Sequence, residues 1–385
     1  MSKHDFSAEE FSARRGRVRE AIGEAGLDWL VAIHPVSIHW LTGSDAKSYQ
    51  EFQCLLISAK PGPLVVLTRR GEVNEFRDDA LVDEIRGYGG SEPDDPVEAF
   101  EQVAKEFGLF GKRVGMEVPG YYLHPLQYVR LKALLGESLV GEPTNLIADL
   151  KLVKSPQELS YIREAARIGD ETMEVFRKGL RAGRSELELA GEVCQALLSR
   201  GSGLAASPIN LMTGERTCFS HGMPTHRTLK AGDDINIEYG TTYKRYTSTI
   251  GRQFSLGKVS ARVRELYEIV RRACDAMIGE IREGVPAVQP HETAKRIIGE
   301  AGYGEGRVHL SGYGLAPGFP PGWAEPMHLF GGSGYTLKAG MVVTIEPPIF
   351  LQNEERLGVR IIDNVLVTET GCELLSQSSR ELVEV

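Results

Sequence analysis

The sequence predicts an α/β domain over residues 1–153 followed by an α+β domain over residues 154–385. Three observations support this prediction. The chain has 385 residues, about twice what one domain usually holds. Short apolar runs alternate with helical patterns in the first part, as in α/β folds. A helix-start signal at Ser155 then separates that part from one with long amphipathic helices and polar strands.

The first domain is expected to begin with a helix. Ser7 and Glu10 have the spacing of a capping box, and Phe6 and Phe11 are placed as a hydrophobic staple, with Gly26 ending the helix. Alternation of strand and helix patterns then continues on a mixed or parallel sheet. Strands are expected over residues 28–33 and 113–117, a short apolar element over 38–43, apolar runs over 54–57 and 64–67, and helices over 96–107 and 125–135.

The second domain opens on Ser155, Pro156 and Glu158, which supply an N-cap, a proline at the first helical position and an acidic residue at the third. Two long helices precede the central strands, so helices are expected to pack on an antiparallel sheet. The helices are expected over residues 156–180, 185–200, 263–282 and 290–301, and the strands over 235–238, 243–254, 341–345 and 359–367.

Composition excludes several function classes. The net charge is −9 and no Lys/Arg run occurs, so nucleic acid is not the expected partner. No apolar stretch reaches about 18 residues and the polar N-terminus lacks a signal-peptide core, so a membrane association is not expected. Five separated cysteines without metal spacing favour the cytoplasm. Cys218 near His221 leaves a Cys–His nucleophile open, against the ordinary reading of a small buried residue.

Three residues stand out as candidates for catalysis. His221 lies in a Gly/Pro/Thr-rich segment, and a neutral imidazole is a suitable general base near neutral pH. Glu238 interrupts a strand pattern, where a carboxylate needs a partner. Glu346 ends a buried apolar strand before Pro347, where it is costly unless paired or protonated, with Arg360 as its candidate structural partner.

A Gly/Pro-rich stretch with aromatic residues, 309–325, predicts a rigid irregular loop that lines a pocket. A plain surface connection is the alternative. Tyr313, Phe319 and Trp323 are its aromatic residues.

At this point the sequence resembles the creatinase/Xaa-Pro peptidase (M24) superfamily, which includes methionine aminopeptidases. The resemblance rests on the segment 154–158, on the order of the stretches above, and on 341–347 followed by Gly-Val-Arg at 358–360. It implies the "pita-bread" fold, in which an α/β N-terminal domain precedes a pseudo-symmetric α+β catalytic domain. Such proteins usually assemble as homodimers.

Peptidase members of this superfamily hold two divalent metal ions with two Asp, one His and two Glu. The matching positions of this chain hold, in order, Glu238, Thr249, Tyr313, Glu346 and Ile362. Two carboxylates without an imidazole do not satisfy a two-metal site. No metal and no other cofactor are therefore expected.

Metal-free members suggest a different chemistry. Creatinase cleaves a guanidinium C–N bond with a histidine that matches His221, although its catalytic Glu position is Gly251 here. Ectoine hydrolases are similar around Glu238, with a downstream Arg-Tyr pair, and in a Gly/Pro loop that contains Trp323. The resemblance thus implies a metal-independent hydrolase that cleaves a non-peptide C–N bond of a small cationic or zwitterionic amidine or guanidine.

In this hypothesis Glu238 and Glu346 hold the cationic group, and His221 activates water. Glu238 is alternatively a nucleophile that forms a covalent ester. The other readings are an Xaa-Pro-type metallopeptidase with unusual ligands, a superfamily lyase and a non-catalytic binding scaffold. The expected substrate-binding residues are Tyr49, Tyr246, Arg252, Tyr313, Phe319, Trp323 and Arg360.

Overall fold

The computed structural model describes residues 3–45, 47–92, 94–352 and 355–385, and its helices and strands lie within these ranges. The chain divides into two units, Met1–Lys151 and Leu152–Val385. The first is of the α/β class and the second of the α+β class, so the predicted fold class is confirmed.

The N-terminal unit is built on a mixed sheet whose two faces are both covered by apolar side chains. Leu30, Leu55 and Val66 point to one apolar cluster, whereas Val31 and Leu56 point to the other. Because both faces are buried there, the central strands Trp29–Ala32 and Cys54–Ser58 consist almost entirely of apolar residues. The helices of this unit are α1 (Ala8–Glu24), α2 (Pro35–Thr42), α3 (Val73–Asp79), α4 (Pro96–Glu106), α5 (Pro125–Leu135) and α6 (Leu146–Leu150). Its strands are β1 (Trp29–Ala32), β2 (Cys54–Ser58), β3 (Val65–Arg69), β4 (Glu84–Tyr88), β5 (Val114–Met116) and β6 (Leu139–Gly141). The strand order in the sheet is β4-β3-β2-β1-β5-β6.

The start of α1 shows half of the expected capping box. The Ser7 side chain accepts a hydrogen bond from the Glu10 backbone N–H at 3.2 Å, and Phe6 packs edge-on against Phe11 with ring centroids 5.9 Å apart. The Glu10 carboxylate does not complete the box, since it pairs with Arg14 at 2.7 Å. A charged partner one turn away therefore replaces the predicted contact with the N-cap backbone.

The C-terminal unit contains a larger sheet with helices packed against it. Its helices are α7 (Pro156–Gly179), α8 (Glu186–Ser199), α9 (Ala261–Glu280) and α10 (Val288–Glu300). Its strands are β7 (Asn210–Thr213), β8 (Asp234–Tyr243), β9 (Tyr246–Ser255), β10 (Tyr313–Phe319), β11 (Gly322–His328), β12 (Val342–Ile345), β13 (Ile349–Leu351), β14 (Leu357–Val359), β15 (Asp363–Val367), β16 (Cys372–Leu374) and β17 (Val383–Glu384). The sheet runs β16-β15-β12-β10-β9-β8-β7, with β11 paired to β10 and β17 to β9, and β13 and β14 form a separate pair.

Helix α7 begins where the sequence predicts. Ser155 accepts a hydrogen bond from the Glu158 backbone, and the Glu158 carboxylate accepts one from the Ser155 backbone at 2.7 Å, which completes a capping box. The helix is amphipathic, and its buried side packs on the sheet. In the parts of the chain that the structure describes, no helix is both long enough and apolar enough to cross a bilayer.

Strand β8 shows the alternation that positions the candidate site. Ile237 and Tyr239 point to the helical layer, where the Tyr239 hydroxyl donates to the Gly169 carbonyl of α7 at 2.9 Å. Successive side chains of a strand point to opposite faces, so Glu238 between them points to the other face.

The predicted irregular loop over 309–325 is largely a β-hairpin. Strands β10 and β11 pair antiparallel across a turn with a cis bond between Pro320 and Pro321. Strand β10 also pairs with β9 and β12, at Pro317 and Gly314 respectively. Pairing with these distant strands satisfies the backbone groups, and local Gly/Pro content gives no signal of it.

Candidate active site

Glu238 lies in the middle of β8, opposite Asn210 of β7 and Gly251 of β9. Its side chain is buried and accepts a hydrogen bond from the Asn210 side-chain amide at 2.8 Å. The same carboxylate oxygen forms an ion pair with Arg360. The chain thus provides the cation that this buried carboxylate requires.

Arg360 directly follows β14 and is only 1% exposed. Its Nη2 donates to Glu238, whereas its Nε and Nη1 have no hydrogen-bond partner among the residues that the structure describes. The guanidinium carbon lies 5.7 Å from the centroid of the Phe350 ring. A buried guanidinium with unused N–H donors is costly unless a further acceptor reaches it.

Glu346 directly follows β12, and its backbone N–H donates to the Ser311 carbonyl at 2.9 Å. Its carboxyl group is 1% exposed and lies 3.4 Å from the Thr344 hydroxyl, which donates to it. Burial raises the pKa of Glu346 to about 8, and the negative charge of Glu238 adds to this while Arg360 opposes it. Glu346 is therefore mostly a neutral acid at pH 7.

Two histidines share the site. The ring centroids of His221 and His309 lie 5.2 Å apart in an edge-on arrangement. Desolvation lowers the pKa of both imidazoles, Arg360 lowers both further, and the charge of Glu238 partly compensates. The lowered pKa favours the neutral form of both rings at pH 7, and His221 is an exposed residue that water can reach.

Tyr313 and Trp323 form an aromatic wall. The Trp323 indole N–H donates to the Tyr313 hydroxyl at 3.1 Å, and the Tyr313 backbone N–H donates to the Thr344 hydroxyl at 3.0 Å. The Trp323 ring covers Gly240, where a Cβ would lie 2.6 Å from a ring carbon. Burial and the charge of Glu346 raise the pKa of Tyr313 well above its usual value, so its hydroxyl stays protonated.

Tyr246 and Arg252, predicted to bind substrate, lie on the opposite face of β9 from this site. Directly opposed residues share a face, so Gly251 faces the same side as Glu238, and the even-numbered residues of β9 face the helices. The Tyr246 hydroxyl donates to Glu158 at 2.8 Å. The Arg252 guanidinium donates to the Gly251 and Ile362 carbonyls at 2.9 and 2.8 Å and to Asp363 at 2.8 Å. Both expectations are corrected here, because strand parity places these side chains in structural contacts.

The remaining predicted residues also lie in other surroundings. Phe319 is buried near the β8–β9 turn, where the guanidinium carbon of Arg245 lies 4.3 Å from its ring centroid. Tyr49 belongs to the N-terminal unit and packs against Tyr122 with ring centroids 5.9 Å apart. Cys218 is a buried free thiol, as expected of a small apolar residue.

Sequence reasoning assigned no role to two residues of the site, Asn210 and His309. Asn210 lies on a four-residue strand, and only its register opposite Glu238 brings it to the carboxylate. His309 is the first residue of the Gly/Pro-rich stretch, but the sequence does not predict that it contacts His221. Both contacts join segments that are distant in sequence.

The two-metal site implied by the resemblance does not fit these residues. Glu238 is occupied by Arg360, and the Thr249 hydroxyl accepts a hydrogen bond from the Asn364 amide at 2.8 Å. Ile362 fills the space next to Gly251, where a Cβ would lie 2.7 Å from its side chain. Among the described residues, no group of three His, Cys, Asp or Glu side chains is arranged to hold a metal ion. The donor set therefore falls short of what two divalent ions need.

Several solved structures are similar to this chain over nearly its whole length. A prolidase from Thermococcus sibiricus is 26% identical with a TM-score of 0.87, covering 98% of this chain and 100% of its own. A dipeptidase from Mycobacterium ulcerans is 26% identical with a TM-score of 0.85, covering 99% of both chains. An Xaa-Pro dipeptidase from Bacillus anthracis is 26% identical with a TM-score of 0.84, covering 97% of this chain and 100% of its own. In sequence, an uncharacterized peptidase of Staphylococcus aureus (strain USA300) is 28% identical over 353 residues, 92% of this chain and 95% of that protein.

These comparisons correct the predicted activity. The similar proteins are peptidases, so the prediction of a hydrolase for non-peptide C–N bonds of an amidine or guanidine is wrong. They support the superfamily but give no support to an ectoine hydrolase-like branch. The physical reason lies at Glu238, which already has Arg360 as its cation and does not require a cationic ligand.

Both parts of the chain match family models. Residues 14–153 match the creatinase/prolidase N-terminal domain, and residues 160–369 match metallopeptidase family M24. With its creatinase-like N-terminal domain and pita-bread catalytic domain, the chain belongs to metallopeptidase family M24.

Proposed function

We propose that this chain hydrolyses the peptide bond of short peptides, with Xaa-Pro dipeptides as the first candidates, and that Glu346 is its acid and His221 its base. The proposal rests on the positions of two carboxyl groups and one imidazole. A carboxyl group buried at the end of β12, a second carboxylate already paired with Arg360, and an accessible imidazole belong to one site. A proton donor and a proton acceptor in one site are the groups that acid–base hydrolysis requires.

The substrate class rests on the similar proteins. The structures from Bacillus anthracis and Thermococcus sibiricus are named an Xaa-Pro dipeptidase and a prolidase, and both match this chain along its length. A peptide bond is uncharged, and this site offers it a nearly neutral environment. Glu238 and Arg360 balance each other, while burial favours the neutral forms of Glu346 and His221.

The protonation states define the steps. Neutral His221 accepts a proton from water as the water oxygen attacks the peptide carbonyl carbon. The carboxyl group of Glu346 then donates its proton to the leaving nitrogen as the C–N bond breaks. A proton returned from His221 to Glu346 restores both groups, so the cycle consumes one water and yields an acid and an amine. His309 packs edge-on against His221, with ring centroids 5.2 Å apart.

The test is a peptide panel run in parallel in metal-depleted buffer and in buffer with added MnCl₂, so that cleavage in either buffer supports peptide hydrolysis. Ala-Pro, Ala-Ala and a longer Xaa-Pro peptide are incubated with the wild-type chain, and released amino acids are quantified. We expect release from Ala-Pro. His221→Asn and Glu346→Gln are expected to lower kcat/KM by roughly 10²- to 10⁴-fold, the usual size of an acid or base contribution.

The matched controls are His226→Asn and Glu369→Gln, which change exposed residues of the same types and leave the site intact. We expect them to keep wild-type activity. Failure of the wild-type chain to cleave any peptide of the panel would overturn the proposal. Wild-type rates in both His221→Asn and Glu346→Gln would overturn the assigned roles.

A further inference from the structure

The guanidinium of Arg360 is buried, charged and incompletely used. A guanidinium carries N–H donors on all three nitrogens. Within the described part of the chain, Nη2 donates to Glu238, whereas Nε and Nη1 have no acceptor although the residue is 1% exposed. Buried N–H groups are almost always paired in folded proteins. The unpaired ones on Arg360 therefore indicate a ligand acceptor that completes the set.

The surroundings show which ligand atom would reach Arg360. Its positive charge acts on His221, His309, Tyr313 and Glu346, so the guanidinium lies among the groups that would contact a bound peptide. An acceptor bound beside the acid and the base belongs to the reacting peptide unit. The acceptor of that unit is the carbonyl oxygen, which gains negative charge when water attacks.

The positions that hold metal ligands in the peptidase members have alternative contacts here. Glu238 binds Arg360, Thr249 binds Asn364, and Ile362 packs on Gly251. Two of these contacts occupy polar side chains at positions where a metal ion would need ligands, and the third position holds an apolar side chain; the cation that contacts Glu238 is the guanidinium of Arg360. A fixed cation with free donors can stabilise a developing oxyanion.

We infer that Arg360 is a catalytic residue that supplies the positive charge for the oxyanion of the peptide carbonyl, through one of the N–H donors that Glu238 leaves unused, on Nε or on Nη1, and that the site works without a divalent ion. The inference rests on the proposed peptide hydrolysis. As water attacks, the carbonyl π electrons move to the oxygen, which Arg360 binds. As the oxyanion collapses, those electrons re-form the carbonyl and the C–N bond breaks with the proton from Glu346.

The test compares a phosphinate analogue of Ala-Pro, whose anionic tetrahedral group imitates the intermediate, with the ground-state peptide. Isothermal titration is performed on the wild-type chain, on Arg360→Lys, and on Arg167→Lys as a control for the same replacement on the exposed side of α7. In Arg360→Lys we expect kcat and phosphinate affinity to fall roughly 10²- to 10³-fold, the size of a lost oxyanion donor, with KM changed less than about threefold. Arg167→Lys is expected to behave as wild type.

Arg360→Lys keeps a cation next to Glu238, but a variant that does not fold would give no binding data. A measurement on the wild-type chain covers that case: the phosphinate should bind at least about tenfold more tightly than a neutral hydroxyethylene isostere of the same peptide. Equal affinity for the two would overturn the inference, as would equal losses of phosphinate and peptide affinity in Arg360→Lys.

Metal binding is tested separately. Titration of the wild-type chain with MnCl₂ and ZnCl₂, and elemental analysis of purified protein, should show no stoichiometric ion. Two bound ions per chain would overturn the inference while leaving peptide hydrolysis standing. A wild-type chain that cleaves no peptide overturns the proposed function, and the role of Arg360 falls with it. Peptide cleavage that survives unchanged in folded Arg360→Lys overturns the role of Arg360 alone.

Discussion

Replacement of Glu346 by Gln should stabilise the protein while it removes activity. Folding buries this carboxyl group completely, which raises its pKa from an ordinary value of 4.5 to about 8. The raised pKa means that the folded state holds a proton that the unfolded state releases. The associated stability is fully present below about pH 4.5 and is lost as the pH rises through about 8.

The magnitude follows from the two pKa values. The ionisation of Glu346 lowers the free energy of unfolding by about 1 kcal/mol at pH 5, about 3 kcal/mol at pH 7 and up to about 5 kcal/mol at pH 9. The reference is a pH at which this carboxyl group is protonated in both the folded and the unfolded chain. Glutamine has the same shape, does not ionise and still accepts the hydrogen bond from Thr344. Glu346→Gln should therefore gain stability over wild type progressively from pH 5 to pH 9.

The assay is urea-induced unfolding of wild type, Glu346→Gln and the exposed control Glu369→Gln at pH 5, 7 and 9, with peptide cleavage measured in parallel. The difference in the free energy of unfolding between Glu346→Gln and wild type should increase with pH, whereas Glu369→Gln should have the stability of wild type at every pH. A difference between Glu346→Gln and wild type that does not change with pH would refute the reasoning, because it would show that the carboxyl group titrates as it does in water.

Three further predictions concern stability and are measured by denaturant unfolding. Ser155→Ala removes the N-cap of α7 and should cost about 1 kcal/mol. Gly240→Ala places a Cβ 2.6 Å from the Trp323 ring and should cost about 1–3 kcal/mol, with a fall in activity because the aromatic wall moves. Arg252→Met removes one of the two arginine partners of buried Asp363, which keeps Arg380, and should cost about 1–3 kcal/mol, so unchanged stability would contradict its structural role.

The fold class was predictable because its signals are local. The capping box formed by Ser155 and Glu158 needs only a spacing of three residues, and it begins α7 as expected. The pairing of strands over long sequence distances is not local. The stretch 309–325 contains Gly and Pro in loop-like proportions, but β9 and β12 hold its first half as a strand.

The sequence predicts the two carboxyl groups of the candidate site, but not the residues that contact them. Glu238 and Glu346 stand out because an acidic residue in a buried strand must be paired or neutral; Glu238 is paired with Arg360, and burial raises the pKa of Glu346 to about 8. Arg360 is predicted from the sequence to bind substrate, with pairing to Glu346 as the structural alternative; in the structure it pairs with Glu238, a contact across 122 residues that no local pattern encodes. The prediction that Arg252 lies in the site did not consider which face of the strand it occupies. Because Glu238 lies opposite Gly251, the neighbouring Arg252 points to the other face of the sheet.

The position of Arg360 explains why the chemistry predicted from metal-free relatives does not suit this chain. A cationic amidine needs an uncompensated carboxylate, but Glu238 is neutralised and burial favours the protonated form of Glu346. Such a ligand would also meet the positive charge of Arg360 in surroundings where like charges repel strongly. A peptide carbonyl meets the opposite situation, because it brings an acceptor to donors that lack one and develops negative charge next to a fixed cation. The charge balance of the site therefore favours the substrate class of the similar peptidases without requiring the ligands of their metal-binding family members.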